Sequence, residues 1–78
     1  MEKHEIYISY FDKKTEELID EMKLKIGTEK LRNFLHPYKG DINYNLVYEI
    51  GYREANEIKK LINMEFDFNK YNYYIQKY

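Results

Sequence analysis

The sequence predicts an α+β fold, a small and mostly antiparallel β-sheet with two helices packed on one face. Three observations predict it. Apolar residues alternate with period two near the start, the middle and the end of the chain. Between these stretches they recur with helical spacing. No repeat, low-complexity stretch or Gly/Ser/Pro linker divides the 78 residues, and a chain of that length has room for one hydrophobic core, so residues 1–78 form a single domain.

The first strand spans Glu5 to Phe11. Ile6, Ile8 and Tyr10 fall on one face and Tyr7, Ser9 and Phe11 on the other, with β-branched and aromatic residues throughout. Because both faces are largely apolar, this strand belongs in the centre of its sheet or beneath a second cover. The next segment has two readings. As a helix it has Thr15 as N-cap, acids in its first turns, a stripe of Leu18, Ile19, Met22 and Ile26, and Gly27 just past its end. As a strand it follows a hairpin turn at Asp12-Lys13-Lys14-Thr15, with Met22, Leu24 and Ile26 alternating with Lys23 and Lys25. Local propensity favours the helix.

Thr28 as N-cap opens a short helix through Leu35, with Leu31, Phe34 and Leu35 at i, i+3 and i+4, and Pro37 stops it by restricting His36. Lys39-Gly40-Asp41 marks a turn, after which Tyr44, Leu46, Tyr48 and Ile50 recur with period two as a strand. Gly51 ends that strand. Ala55, Ile58, Leu61 and Ile62 then form the buried side of a helix from about Tyr52 to Asn63. In the aromatic segment from Phe66 to Tyr78, Tyr71, Tyr73 and Ile75 share one face of a strand and Tyr74 and Tyr78 the other.

Ten tyrosines among 34 apolar residues are more than a small core hides. A buried tyrosine needs a partner for its hydroxyl, whereas an exposed one offers rigid contact area at an interface. Tyr10, Tyr44, Tyr48, Tyr71 and Tyr73 lie in phase with aliphatic neighbours and belong to the core. Tyr38, Tyr52, Tyr74 and Tyr78 sit in turns, at a helix start or on the opposite strand face, and are expected to contact a partner; Tyr7 suits either role.

Thirteen basic and 14 acidic residues give a net charge of −1, too little field to gather nucleic acid. Glu16, Glu17, Asp20 and Glu21 nonetheless concentrate four acids in six residues, as a solvated face or as a patch for a basic partner. The chain has no cysteine, no run of about 18 apolar residues and no leader pattern at Met1–Glu5, so it is expected in the cytoplasm, away from any membrane.

Catalysis has little to work with. Ser9 lies inside a strand pattern, Thr15 and Thr28 read as turn or cap residues, and Gly27, Gly40 and Gly51 are too isolated to cradle a phosphate. His4 and His36 could form the acid–base pair of a metal-independent ribonuclease, but His4 falls at the N-terminus and His36 at a helix end that favours a cation anyway. Glu54 and Glu57 have the spacing of helix metal ligands without a histidine to complete the set. No enzyme activity, metal or cofactor is expected.

The stretch Tyr10-Phe11-Asp12-Lys13-Lys14-Thr15-Glu16-Glu17-Leu18, the Tyr48-Glu49-Ile50 before the Ala55 helix, and the closing Phe66-Asp67-Phe68-Asn69-Lys70-Tyr71-Asn72-Tyr73-Tyr74 together resemble small immunity proteins of bacterial polymorphic toxin systems, of the contact-dependent inhibition and Maf types. The resemblance spans nearly the whole chain through aromatic and acidic positions, without a diagnostic motif. Its ending, Tyr74-Ile75-Gln76-Lys77-Tyr78, departs from the Tyr-Phe-acid close of such relatives. The resemblance favours the hairpin over the helix, giving the order β-β-α-β-α-β, with helical residues 16–26 as the alternative. It also implies a cytoplasmic antitoxin, without cofactor, that binds the C-terminal toxin domain of a cognate effector, often a nuclease, and blocks its active site or substrate path. In that role Glu16, Glu17, Asp20 and Glu21 steer encounter and the tyrosines of the last strand supply contact area. A homodimer through exposed tyrosines is the rival expectation, and a nucleic-acid-directed protein the weaker one.

Overall fold

The computed structural model describes residues 5–77. Its elements are β1 (Ile6–Asp12), β2 (Leu18–Leu24), α1 (Thr28–Leu31), β3 (Tyr48–Glu49), α2 (Tyr52–Lys59) and β4 (Tyr71–Lys77). The strands form one antiparallel sheet in the spatial order β2-β1-β4-β3. The order β-β-α-β-α-β is therefore present, and residues 16–26 contain a strand where local propensity favours a helix.

The turn explains that outcome. The Asp12 carboxylate accepts the N–H groups of Lys14 and Thr15 at 2.7 and 3.0 Å, and the Asp12 carbonyl accepts that of Glu16 at 2.8 Å. Thr15 caps the turn instead of a helix, its hydroxyl accepting the Glu17 N–H at 3.3 Å. Glu16 adopts φ 61° and reverses the chain, so that β2 runs back along β1. Pairing then sets Leu24 opposite Ile6 and Met22 opposite Ile8, burying apolar surface in the sheet that an isolated helix would have to bury elsewhere.

β1 lies between β2 and β4, in register Ile8 with Ile75 and Tyr10 with Tyr73. Ile6, Ile8, Leu24, Tyr48, Tyr73 and Ile75 point to one side, where they join Leu31, Phe34, Leu35, Ala55 and Ile58 in a single buried cluster. Both helices thus pack on one face. Each fully buried tyrosine has its hydroxyl engaged: Tyr44 donates to the Leu35 carbonyl at 2.5 Å, Tyr48 donates to Asp41 at 2.6 Å, and Tyr73 accepts the Asp67 N–H at 2.9 Å. Tyr10 and Tyr71 are only half-buried, capping this cluster at its hairpin end.

Several element boundaries differ from the sequence expectation. The period-two run from Tyr44 to Ile50 holds only the two-residue β3. Tyr44 sits at φ 57° and Leu46 is exposed. The cause is the nearly buried Asp41, whose carboxylate takes the N–H groups of Asn45 and Leu46 at 2.7 and 3.0 Å and so diverts them from a ladder. Gly40, at φ 84°, supplies the left-handed turn that presents Asp41. Gly27, not Thr28, is the N-cap of α1, whose regular part ends at Leu31 although Phe34 and Leu35 still reach the core. α2 ends at Lys59 in tighter turns, Lys60 N–H to Glu57 and Leu61 N–H to Ile58, which leave Leu61 exposed.

Burial alone pushes the Asp41 carboxyl upward and is its largest single influence. The Tyr48 hydroxyl, the Leu46 and Asn45 N–H groups and the charge of Lys77 together outweigh it and hold the carboxyl below its ordinary 3.8. A folded value below the unfolded one stabilises the fold above that pH and is lost as pH falls through the folded value. Melting temperature therefore drops on acidification below 3.8, and Asp41→Asn makes that drop shallower while lowering stability near neutrality. Asp12, held down first by the Thr15 N–H and then by that of Lys14, keeps the same sign and leaves a residual slope in the variant. Tyr48→Phe strips Asp41 and the Tyr38 N–H of a shared hydroxyl and costs about 2 kcal/mol in urea unfolding. Burial, then the Asp41 hydrogen bond, pushes the Tyr48 phenol up from 10.0 to about 12, so its contribution is fully present below 10.0 and is lost as pH rises from there through about 12.

Candidate functional site

Cross-strand partners share a face, so the register defines what points away from the helices. That face carries Tyr7, Ser9 and Phe11 of β1, Asn72, Tyr74 and Gln76 of β4, Glu21 and Lys23 of β2, and Glu49 of β3. Leu18, opposite Phe11 beyond the β-bulge, completes it. Apart from Ser9, every one of these is exposed or half-buried, and none belongs to the cluster under the helices. No helix among the described residues covers this sheet face, and its centre is aromatic.

Phe11 and Tyr74 meet edge to face, ring centroids 5.7 Å apart at 71°. Beside them Phe11, Asp12, Glu16, Asn72 and Tyr74 line an open hollow of about 240 Å³. The left-handed backbone at Glu16 brings its side chain to this hollow from the turn. Ser9, buried between its cross-strand neighbours Glu21 and Tyr74, donates to the Glu21 carboxylate at 2.9 Å. The cation on this face, Lys23, is engaged with Glu5 at 2.7 Å, which holds its ammonium above its ordinary value. Among the described residues Glu16, Glu21 and Glu49 outnumber Lys23 on this face, and Glu21 is itself engaged with Ser9. Lys13, Lys14 and Lys70 lie around a separate hollow on the other flank of the turn.

Of the residues expected at an interface, Glu16, Glu21 and Tyr74 come together here. Glu17 stays in the turn, its carbonyl accepting the Asp12 N–H at 3.0 Å. Asp20 pairs with Tyr10 and so points to the opposite side. Tyr38 stacks on Tyr48 at 4.1 Å, and Tyr52, 73% exposed, leans on Phe68 at 4.5 Å; both attach to the helix side of the sheet. Tyr78 and His4 lie outside the described residues. Phe11, Asn72, Leu18 and Glu49 were not singled out, although the alternation of β1 already set Phe11 and Tyr7 opposite Ile6 and Ile8. What the alternation lacks is the neighbour: only the β1–β4 pairing brings Tyr74 and Asn72 to Phe11.

A second apolar area lies on the α1–β3 loop, where Tyr38, Ile42, Leu46 and Val47 are all exposed. The loop is tied down by Asp41, by Arg32 donating to the Ile42 carbonyl at 2.8 Å and by Lys77 donating to the Asn43 carbonyl. Elsewhere the polar residues have structural work. Glu54 accepts the Gly51 N–H at 2.9 Å at the start of α2, Glu57 pairs with Lys60 at 2.9 Å, and His36 is exposed past α1. Among the described residues no group of three or more His, Asp or Glu could hold a metal ion, and no helix is long and apolar enough to cross a membrane.

Fold and surface define a small α+β domain with one sheet face that no helix among the described residues covers. The chain belongs to the family described as a domain of unknown function (DUF7683), whose model matches residues 5–76. No curated protein matches it.

Glu16 occupies a left-handed position where glycine is unstrained. Glu16→Gly should raise unfolding stability by up to about 1 kcal/mol, the relief of that strain exceeding the added chain entropy. Urea denaturation of the pair measures it.

Proposed function

We propose that this chain is a non-catalytic binding protein that docks a basic protein across its uncovered sheet face, and that the partner is the toxin domain of a bacterial polymorphic toxin, which it neutralises in the cytoplasm. The observation that carries this reading is the aromatic centre of Phe11, Tyr74 and Tyr7 flanked by Glu16, Glu21 and Glu49. Buried aromatic anchors within a charged rim are the usual distribution of energy in a protein interface. Nucleases hold their substrates in basic grooves, and an acidic face opposes such a groove while steering its approach. No cofactor enters this scheme, because occlusion of the active site or substrate path requires only contact.

The test pairs the purified chain with the toxin domain encoded immediately upstream, measuring affinity and residual toxin activity. Tight binding with loss of activity is expected; no binding, or binding without protection, sinks the antitoxin reading. Charge placement refines the test. Glu16→Lys with Glu21→Lys slows association about tenfold at low salt, whereas Glu17→Lys with Asp20→Lys, off that face, slows it far less.

The exposed Tyr38, Ile42, Leu46 and Val47 favour a second contact, between two copies of the chain. Light scattering should then give twice the chain mass, reverting to the monomer in Ile42→Asp. A monomer at all concentrations removes the dimer.

A further inference from the structure

We propose that the hollow at the hairpin end of the open face is the seat of an arginine side chain from the protein partner. The inference rests on the basic-partner reading and names the chemistry that the partner presents. Its lining brings acceptor-bearing residues and aromatic surface together: Glu16, Asp12 and Asn72 with the rings of Phe11 and Tyr74. Asp12 commits its Oδ1 to the Lys14 and Thr15 N–H groups, so the carboxylate is held in place by the turn. Lys13, Lys14 and Lys70 line a neighbouring hollow with Asn69 and Tyr71; Asp12 borders both, and no lysine or arginine among the described residues lines the one beside Phe11.

The ligand class follows from the match. A guanidinium is planar, carries five donors and no acceptor, and stacks on aromatic faces; an ammonium is a compact, strongly hydrated point charge. A site lined by carboxylates and aromatic rings together uses both properties of the guanidinium. The hollow of about 240 Å³ is open to solvent, so a side chain can enter with its stem along Phe11 while the partner's backbone stays outside.

The experiment titrates the isotopically labelled chain with acetylated, amidated tetra-arginine and, separately, tetra-lysine, following backbone amide resonances. Saturable shifts are expected at Phe11, Asp12, Asn72 and Tyr74 with tetra-arginine, at several-fold higher affinity than tetra-lysine. Glu16→Gln and Phe11→Leu each weaken the binding about tenfold. Phe11→Leu removes the ring while keeping apolar bulk, and the exposed Glu16 gives a variant that leaves the core untouched. Shifts spread evenly over the surface acids, equal affinity for lysine, an unaltered Glu16→Gln, or no shift at all would overturn the assignment. The two readings fail separately: a chain that neutralises its toxin with affinity unchanged by Glu16→Gln and Phe11→Leu refutes the arginine seat alone, and one that takes tetra-arginine in the hollow but ignores the toxin refutes the antitoxin alone.

Discussion

The Asp41 carboxylate is the interaction on which the connected half of the fold depends. It accepts two consecutive backbone N–H groups, Asn45 and Leu46, and the Tyr48 hydroxyl, and that hydroxyl in turn accepts the Tyr38 N–H. One nearly buried acid thereby closes the loop between α1 and β3 and sets where β3 begins. The same closure holds Tyr44 in a left-handed conformation that costs about 1–2 kcal/mol in isolation. Its ring is buried between Tyr48 and the Arg32 guanidinium, and its hydroxyl satisfies the Leu35 carbonyl past the end of α1. A buried carboxylate is tolerable because several donors replace its water shell; removing one donor leaves the charge under-solvated.

The open face follows from what remains. The regular helices are four and eight residues long, enough to cover one side of a four-stranded sheet and no more. On the covered side, tyrosine takes the place of aliphatic bulk, and Tyr73 gathers Tyr10, Phe66, Phe68 and Tyr71 around its ring. On the other side, Phe11 meets Tyr74 edge to face, with Leu18 as its cross-strand neighbour on β2. A core of this kind leaves two aromatic populations, one packed under the helices and one on the opposite sheet face.

Much of this architecture is legible in the residues. The alternation of β1, the aromatic β4, the apolar triple Leu31, Phe34 and Leu35, and the Ala55 and Ile58 face of α2 all read correctly from spacing, because each buries one side against the same core. The hairpin at Asp12 was harder, since the acids and apolar residues of 15–26 fit a helix locally and only β1 pairing overrides that preference. Tyr44 to Ile50 misled for the opposite reason: its period is that of a strand, but a side chain outside the run, Asp41, claims the backbone. The makeup of the open face is half visible in the residues. Glu16, Glu21 and Tyr74 could be named from charge and phase, while Phe11, Asn72 and Glu49 depend on strand order, which no local pattern contains. Tyr38 and Tyr52 are exposed as expected, yet they belong to a different side of the molecule.

That division of the aromatic residues is tested most directly by side-chain oxidative footprinting of the chain alone and mixed with the toxin domain proposed as its partner. Protection concentrated on Tyr7, Phe11 and Tyr74, with Tyr38 and Tyr52 as reactive as in the free chain, is the expected result. Protection of Tyr38 and Tyr52 with Phe11 and Tyr74 unchanged would contradict it, moving the binding surface to the helix side.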